Sequence, residues 1–331
     1  MRLRKEDLMA KYKAVVVNTG YETYDLEREI LKPADAQVVV VTEDSMTEDD
    51  VINAARDADA IFVREAPITA RVLKSFERCK IVARYGVGLD NIDLETARQL
   101  KIYVSNVPEY GTEDVSDHAV ALLMGCVRSL LVRDQNLRNG NFEFDICDEI
   151  FRTTDKTLGL LGYGKIGQAF HRKWQGFLPN KVLVYDPYVD TEFINANGAE
   201  KVELDKLLHE SDFISIHAPL TPETKHIINT AALKKMKNTA ILVNTARGAL
   251  IDTYALAKAL QEGEILRAGL DVFEKEPIPG DHPLVSMSSV ILTSHVAWYS
   301  RESTEDLQGG AAKEILRVLS GKPPVNWVNP W

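Results

Sequence analysis

Short, nearly unbroken apolar runs recur through the first third of the chain, at Ala14-Val15-Val16-Val17, Val38-Val39-Val40-Val41, Ala60-Ile61-Phe62-Val63 and Lys80-Ile81-Val82-Ala83. A strand with one face in water alternates apolar and polar residues, whereas a run apolar throughout suits a parallel strand covered on both faces. The stretches between the runs open on acidic or capping residues, as in Thr47-Glu48-Asp49-Asp50 and Asp93-Leu94-Glu95, and so read as helices. Residues from about 12 to 106 thus make one α/β unit. Val107-Pro108-Glu109-Tyr110-Gly111 then breaks the rhythm and reads as a hinge. Beyond it, Thr112 as N-cap, with Glu113 and Asp114 in an acidic first turn, predicts one long helix running toward Arg138 and stopped by Asn139 and Gly140.

A second alternation starts at Leu158 and continues through Val182-Leu183-Val184, Phe213-Ile214-Ser215-Ile216, Ala240-Ile241-Leu242-Val243, Leu266 to Leu270 and Val290-Ile291-Leu292. That is enough for a complete Rossmann sheet. A last helix, from about Glu302 to Leu319, follows, and the local pattern assigns it to neither unit. The expected fold class is α/β, with two doubly wound parallel-sheet domains.

Composition agrees with two cores. The chain has 331 residues, 45% of them hydrophobic, beyond the size at which single cores usually stop growing. Its net charge of −10 is spread along the sequence with no basic stripe, so nucleic acid is not an expected ligand. The three cysteines, Cys79, Cys126 and Cys147, are far apart and form no Cys-x-x-Cys pair, so neither a disulfide framework nor a metal site is expected, and none is assigned a catalytic role. Arg2, Arg4 and Lys5 are followed by Glu6 and Asp7 rather than by an apolar segment, and nowhere do eighteen apolar residues run together. A cytoplasmic protein without a membrane partner is the expectation.

The chemistry begins at Gly162-Tyr163-Gly164-Lys165-Ile166-Gly167, between the apolar stretch Thr157 to Leu161 and a helix-like stretch. In a dinucleotide fingerprint the first glycine permits the strand-to-helix turn, the second lets backbone approach a pyrophosphate, and the third packs helix against strand. Asp186 lies nineteen residues past Gly167, at the end of Lys181 to Tyr185, where a carboxylate accepts hydrogen bonds from ribose hydroxyls. The expected cofactor is NAD rather than NADP.

Three polar residues stand at the ends of predicted strands, where ligands meet an open α/β sheet. Arg247 could hold a carboxylate in a fork of two hydrogen bonds, although strand-end arginines also make ordinary surface ion pairs. His295 and Glu276 would make a proton donor for a carbonyl oxygen, since a neighbouring carboxylate favours the charged ring. Spacing alone leaves His295 equally open to being a surface residue. His118, His171, His209, His226 and His282 have no partner spacing and read as surface or packing residues.

These residues resemble the D-isomer-specific 2-hydroxyacid dehydrogenases over essentially the whole chain. The resemblance is carried by Gly162 to Gly167, His217-Ala218-Pro219-Leu220-Thr221, Asn244-Thr245-Ala246-Arg247-Gly248, Asp271-Val272-Phe273 through Glu276-Pro277, and His295-Val296-Ala297-Trp298-Tyr299-Ser300. It implies that Arg247, Glu276 and His295 are catalytic, and that His217, Ala218, Pro219, Thr245, Ala246 and Asp271 line the NAD site with the glycine loop. It also implies that Arg84, Val87 and Gly88 hold the substrate carboxylate; without the family, that glycine loop reads as a plain turn. In motif the tail is closest to the C-terminal-binding-protein and phosphoglycerate-dehydrogenase-like branch, where the Trp298 position lines the substrate pocket; core packing is the other reading of that residue.

The implied architecture is a discontinuous, flavodoxin-like substrate domain, 1–111 and 300–331, with a Rossmann NAD domain at 112–299. The implied assembly is a homodimer formed through the helix after Thr112. Glu276 disfavours formate as substrate, because formate dehydrogenases of this superfamily carry Gln there. Ala66 in Arg64-Glu65-Ala66-Pro67 stands where phosphoglycerate-handling relatives tend to carry a second arginine. Glyoxylate, hydroxypyruvate, branched keto acids and phosphohydroxypyruvate stay open. An NAD(H)-sensing, corepressor-like protein of the same fold is the alternative to an enzyme of 2-keto and 2-hydroxy acids.

Overall fold

The structure, a computed structural model, describes residues 10–17, 20–41, 46–142 and 149–331. The amino-terminal basic residues and Cys147 lie outside the described residues. Contacts divide the chain into two compact units, Met1–Gly111 with Ser300–Trp331, and Thr112–Tyr299.

The first unit holds a parallel sheet of β1 (Tyr12–Val17), β2 (Ala36–Val40), β3 (Ala60–Val63), β4 (Ile81–Arg84) and β5 (Tyr103–Ser105), in the order β2-β1-β3-β4-β5. That is a flavodoxin-like order, with its switch point between β1 and β3. Strand β3 is fully buried at all four positions, as its unbroken apolar run requires. Helices α1 (Asp25–Leu31), α2 (Glu48–Ala55), α3 (Ala70–Ser75) and α4 (Leu94–Gln99) connect the strands. The helix start expected at Thr47 is present and takes the form of a capping box, Thr47 exchanging hydrogen bonds with Asp50. Strand β5, only three residues long, escaped the apolar pattern; its edge is covered by the carboxyl-terminal tail, where Asn329 Oδ1 accepts from Val104 N at 2.8 Å.

The second unit opens with α5 (Thr112–Val127) and α6 (Leu130–Arg138). Its sheet comprises β6 (Thr157–Leu161), β7 (Lys181–Tyr185), β8 (Glu200–Lys201), β9 (Phe213–Ile216), β10 (Ile241–Asn244), β11 (Arg267–Leu270) and β12 (Val290–Leu292). All pairings are parallel, in the order β12-β11-β10-β9-β6-β7-β8, a Rossmann sheet with its switch point between β6 and β9. Helices α7 (Lys165–Trp174), α8 (Thr191–Ala196), α9 (Leu204–Glu210), α10 (Thr230–Leu233) and α11 (Thr253–Gln261) link the strands. The last helix, α12 (Arg301–Leu319), is in the first unit, where Gln308 Nε2 donates to the buried Glu27 carboxylate at 3.0 and 3.2 Å.

The single long helix expected from Thr112 to Arg138 is in fact two. Thr112 is the first residue of α5 rather than its cap. Helix α5 lies against the sheet so closely that a Cβ on Gly269 of β11 would sit 3.0 Å from Leu122 Cβ. Its apolar face ends at Val127. Ser129 then adopts a left-handed φ of 53°, its N–H closing on Cys126 O at 3.1 Å, and α6 leaves at 62° to α5 with no buried residue. Periodicity cannot see a left-handed turn made by a serine, because nothing in the residue announces it. Gly140, at φ 83°, does end α6 as expected. No single helix among the described residues is long and apolar enough to cross a membrane.

Burial pushes both described thiols, Cys79 and Cys126, up to about 12, which removes them as nucleophiles at neutral pH.

Candidate active site

The glycine loop separates the three tasks expected of it. Gly162 has φ 95°, and a Cβ there would lie 2.6 Å from the His217 carbonyl carbon, so the β6-to-α7 turn has room only for glycine. Gly164 caps α7 without a side-chain bond, and a Cβ there would meet nothing within 4 Å, so the space beside this cap residue is open. Gly167 is packed against the turn, with the Gly162 oxygen 2.5 Å from where its Cβ would be. Lys165 and Ile166 form the first turn of α7 between them.

Asp186 ends β7 and is held in place by backbone. Its Oδ2 accepts from Tyr163 N at 2.8 Å, and its Oδ1 accepts from Tyr188 N at 2.9 Å and Val189 N at 3.3 Å. On the other side of the switch point, His217, Ala218 and Pro219 follow β9. Burial pulls the His217 imidazole down to about 3, so the ring is neutral. Its Nε2 lies 2.9 Å from Ser215 Oγ, while His217 Nδ1 and Thr245 Oγ1 are buried with no protein partner. Buried orphans, with open space beside the cap of α7, fit a dinucleotide that brings its own polar atoms.

Beyond β10 and β11 the three strand-end residues converge. Arg247 follows β10, with Asn244 Nδ2 donating to its carbonyl at 2.8 Å and its own Nη1 donating to Ala246 O at 2.8 Å. The next residue must be glycine: a Cβ on Gly248 would lie 1.9 Å from the Phe273 carbonyl carbon, so this position lets the Arg247 segment lie against the turn that carries Glu276. Glu276 Oε1 accepts from Phe273 N at 2.9 Å, and Oε2 accepts from His295 Nδ1 at 2.7 Å. Burial works to raise the Glu276 carboxyl, but the hydrogen bonds from His295 and Phe273 N–H, with the charges of His295 and Arg247, outweigh it and hold it below the usual carboxylate range.

His295 itself stands at φ 54°, an uncommon backbone for a residue with a side chain. Asp271, wholly buried, fixes it there. The Asp271 carbonyl accepts from His295 N at 2.8 Å. Its carboxylate accepts from Val296 N at 3.0 Å, Ala297 N at 2.9 Å and Thr293 Oγ1 at 2.5 Å. Trp298, half-buried, donates from its indole to His295 O at 3.0 Å, so it braces the same turn.

Residues 120–297 match the family described as D-isomer specific 2-hydroxyacid dehydrogenase, NAD binding domain. The chain is 42% identical over 283 residues to a glyoxylate reductase of Korarchaeum cryptofilum, covering 84% of this chain and 85% of that protein. The chain belongs to the D-isomer specific 2-hydroxyacid dehydrogenases. A hydroxypyruvate reductase of Blautia hydrogenotrophica is 36% identical across 95% of the dehydrogenase and 99% of that relative. A D-lactate dehydrogenase of Aquifex aeolicus, solved with NAD and lactic acid, superposes with a TM-score of 0.82 at 30% identity, covering 93% and 96% of the two chains. The dehydrogenase is therefore an NAD-dependent oxidoreductase that interconverts a 2-keto acid and a D-2-hydroxy acid, and the corepressor-like alternative is not favoured.

In the first unit of the dehydrogenase, hydrogen bonds to two successive carbonyls fix the loop after β4. Gly86, at φ 140°, sends its carbonyl to Val107 N at 3.0 Å, and Val87 sends its own to Asn106 Nδ2 at 2.7 Å. In a planar trans peptide the N–H points opposite to the C=O, so the N–H groups of Val87 and Gly88 point away from Val107 N and Asn106 Nδ2. Arg84 Nη2, beside them, lies 3.7 Å from Glu65 Oε1.

Three histidines read from sequence as having no partner spacing meet polar side chains. His226 Nε2 lies 2.5 Å from Glu274 Oε1, and His118 Nε2 lies 2.9 Å from Thr293 Oγ1 and 3.6 Å from Asp271 Oδ1. His171 likewise meets Tyr163, Nδ1 to hydroxyl at 2.8 Å. No local spacing could show the first two, since their partners lie 48 and 175 residues away in the chain.

Proposed function

We propose that this dehydrogenase reduces a short 2-keto acid of the glyoxylate and hydroxypyruvate class to its D-2-hydroxy acid with NADH, and that Arg247, Glu276 and His295 are its catalytic residues. The observation that carries the reading is the His295–Glu276 pair at 2.7 Å with the Arg247 charge beside it.

NADH, when bound, supplies the hydride. The residues proposed to hold it are Gly162 to Gly167, Asp186, His217, Ala218, Pro219, Thr245, Ala246 and Asp271. The amino terminus of α7 receives the pyrophosphate charge. Asp186 takes the ribose hydroxyls and repels a phosphate at the same position, which selects NAD over NADP. Glu276 accepts a hydrogen bond from the Nδ1–H of His295, which fixes the ring and stabilises its cationic form. The remaining ring nitrogen, Nε2, then delivers a proton to the keto oxygen, and it is the base in the reverse direction. Arg247 offers a permanent positive charge to the substrate carboxylate and to the charge developing on the keto oxygen. The N–H groups of Val87 and Gly88, with Arg84, are proposed to bind substrate carboxylate, and Trp298 to limit the substrate's side chain.

In this reading residues 1–111 and 300–331 are the substrate domain and 112–299 the cofactor domain. The protein is proposed to work in the cytoplasm as a homodimer. Helix α6, which exposes Leu130, Leu131 and Leu137, is the proposed contact, a revision of the longer helix expected from sequence.

The deciding experiment is NADH oxidation by the purified protein against glyoxylate, hydroxypyruvate, branched 2-keto acids and phosphohydroxypyruvate, with NADPH in parallel. Turnover of one acid with NADH establishes the reading. Tight NADH binding with silence across the panel overturns it in favour of a cofactor sensor.

A further inference from the structure

The turn that carries His295 depends on one buried carboxylate, and that carboxylate has a second tier of support that the proposed mechanism does not use. Asp271 is 0% exposed and takes three donors from the turn: Val296 N, Ala297 N and Thr293 Oγ1. Thr293 Oγ1 in turn lies 2.9 Å from Nε2 of His118, on the middle of α5. The protons in this chain can be counted. A carboxylate only accepts, so at 2.5 Å the single hydroxyl proton of Thr293 belongs to Asp271. The contact between His118 and Thr293 then requires a proton on Nε2 of His118, donated to the remaining lone pair of the Thr293 oxygen. The order of donation is His118 to Thr293 to Asp271, and each donation polarises the next.

We propose that His118 is a positioning residue for the reductase: through Thr293 and Asp271 it holds the strained backbone of His295 in register with Glu276. This rests on the reading of His295 as the acid. Helix α5 is a suitable anchor because Ala119, Leu122 and Leu123 fix it against the sheet, so the imidazole of His118 is a fixed donor rather than a swinging surface group. His295 at φ 54° has no such support from its own conformational preference, and the Asp271 acceptors must supply it. The residue touches neither Glu276 nor His295, and its effect is transmitted.

The test compares His118→Phe, which keeps a ring but loses the donor, with His118→Gln, whose amide N–H can replace Nε2–H. Thr293→Val and Thr293→Ser repeat the comparison one step along, and guard against a His118 variant that fails to fold. Two readouts are taken. Steady-state kinetics with the best keto acid of the panel should show kcat reduced about tenfold in His118→Phe and Thr293→Val, the size of one lost buried hydrogen bond. His118→Gln and Thr293→Ser should recover most of kcat. Hydrogen exchange of the Val296 and Ala297 amides, which needs no turnover, should quicken in the Phe and Val variants and return toward wild type in the other two. Unchanged kcat and exchange in His118→Phe overturn the proposal. Equal damage in His118→Phe and His118→Gln also overturns it, since then only the ring's volume matters. If wild type turns over no keto acid, the functional reading has failed, and the exchange data alone decide whether His118 positions the turn.

Discussion

His295 Nδ1 donates to Glu276 Oε2 at 2.7 Å, although the two residues arrive from different strand ends and His295 does so at a left-handed backbone angle. This pair, with Arg247, makes the proposed acid and its support, and the first consequence concerns the acid. His295→Ala should lower kcat by roughly 10²–10⁴, the usual worth of a general acid, while the NADH dissociation constant stays near wild type. Stopped-flow turnover and NADH fluorescence titration measure the two separately. Unchanged kcat would remove His295 from the chemistry.

Glu276 is held below the usual carboxylate range against its own burial, so its stabilising contribution has a definite direction in pH. A depressed folded value means that the contribution is complete above the unfolded value, about 4.3, and disappears as pH falls through the folded one. The part of the thermal stability difference between wild type and Glu276→Gln that belongs to this carboxyl should therefore be lost as pH falls from the unfolded value through the folded one. A difference that instead vanished between pH about 8 and 6 would place the titration on another group.

The glycines of the fingerprint predict opposite failures. Gly162→Ala forces a Cβ into the His217 backbone at a left-handed φ, and should cost about 1–3 kcal/mol of stability, read by chemical denaturation. Gly164→Ala has room for its methyl group and should melt like wild type, but the methyl group occupies the open space beside the α7 cap, so the NADH dissociation constant should rise about tenfold or more. If both variants lose only stability, the loop is a turn and not a cofactor site.

Asp186 is proposed to carry the cofactor choice. Asp186→Asn removes the charge and keeps only one of the two oxygens that accept from Tyr163 N and from Tyr188 N, so the ratio of kcat/KM for NADH over NADPH should fall about tenfold or more, with some loss of stability in the loop. A ratio that does not move would assign the discrimination elsewhere.

Much of this molecule was legible in the residues themselves. Most strands of both sheets were, because a parallel strand buried on two faces must be apolar throughout, as at Ala60 to Val63 and Phe213 to Ile216; the three-residue β5 and the two-residue, polar β8 (Glu200–Lys201) were not. The glycine loop was, because close backbone approach admits only one residue type, and its spacing to Asp186 is set by one β-α-β unit. Arg247, Glu276 and His295, the residues proposed to be catalytic, were named from motifs in order along the chain. What the sequence could not contain is anything settled by distance in space. The edge strand β5 and the break at Ser129 depend on neighbours rather than on local preference: the tail supplies the partner of one, and the end of the α5 apolar contact decides the other. The pairing of His118 with Thr293, across 175 residues, and the turning of the Asp271 carboxylate onto the His295 turn follow from the packing of α5 on the sheet. Residue type and periodicity fix which segments become strands and helices; which buried donor meets which acceptor is decided only when those segments are brought together and every polar group taken out of water has to find a partner.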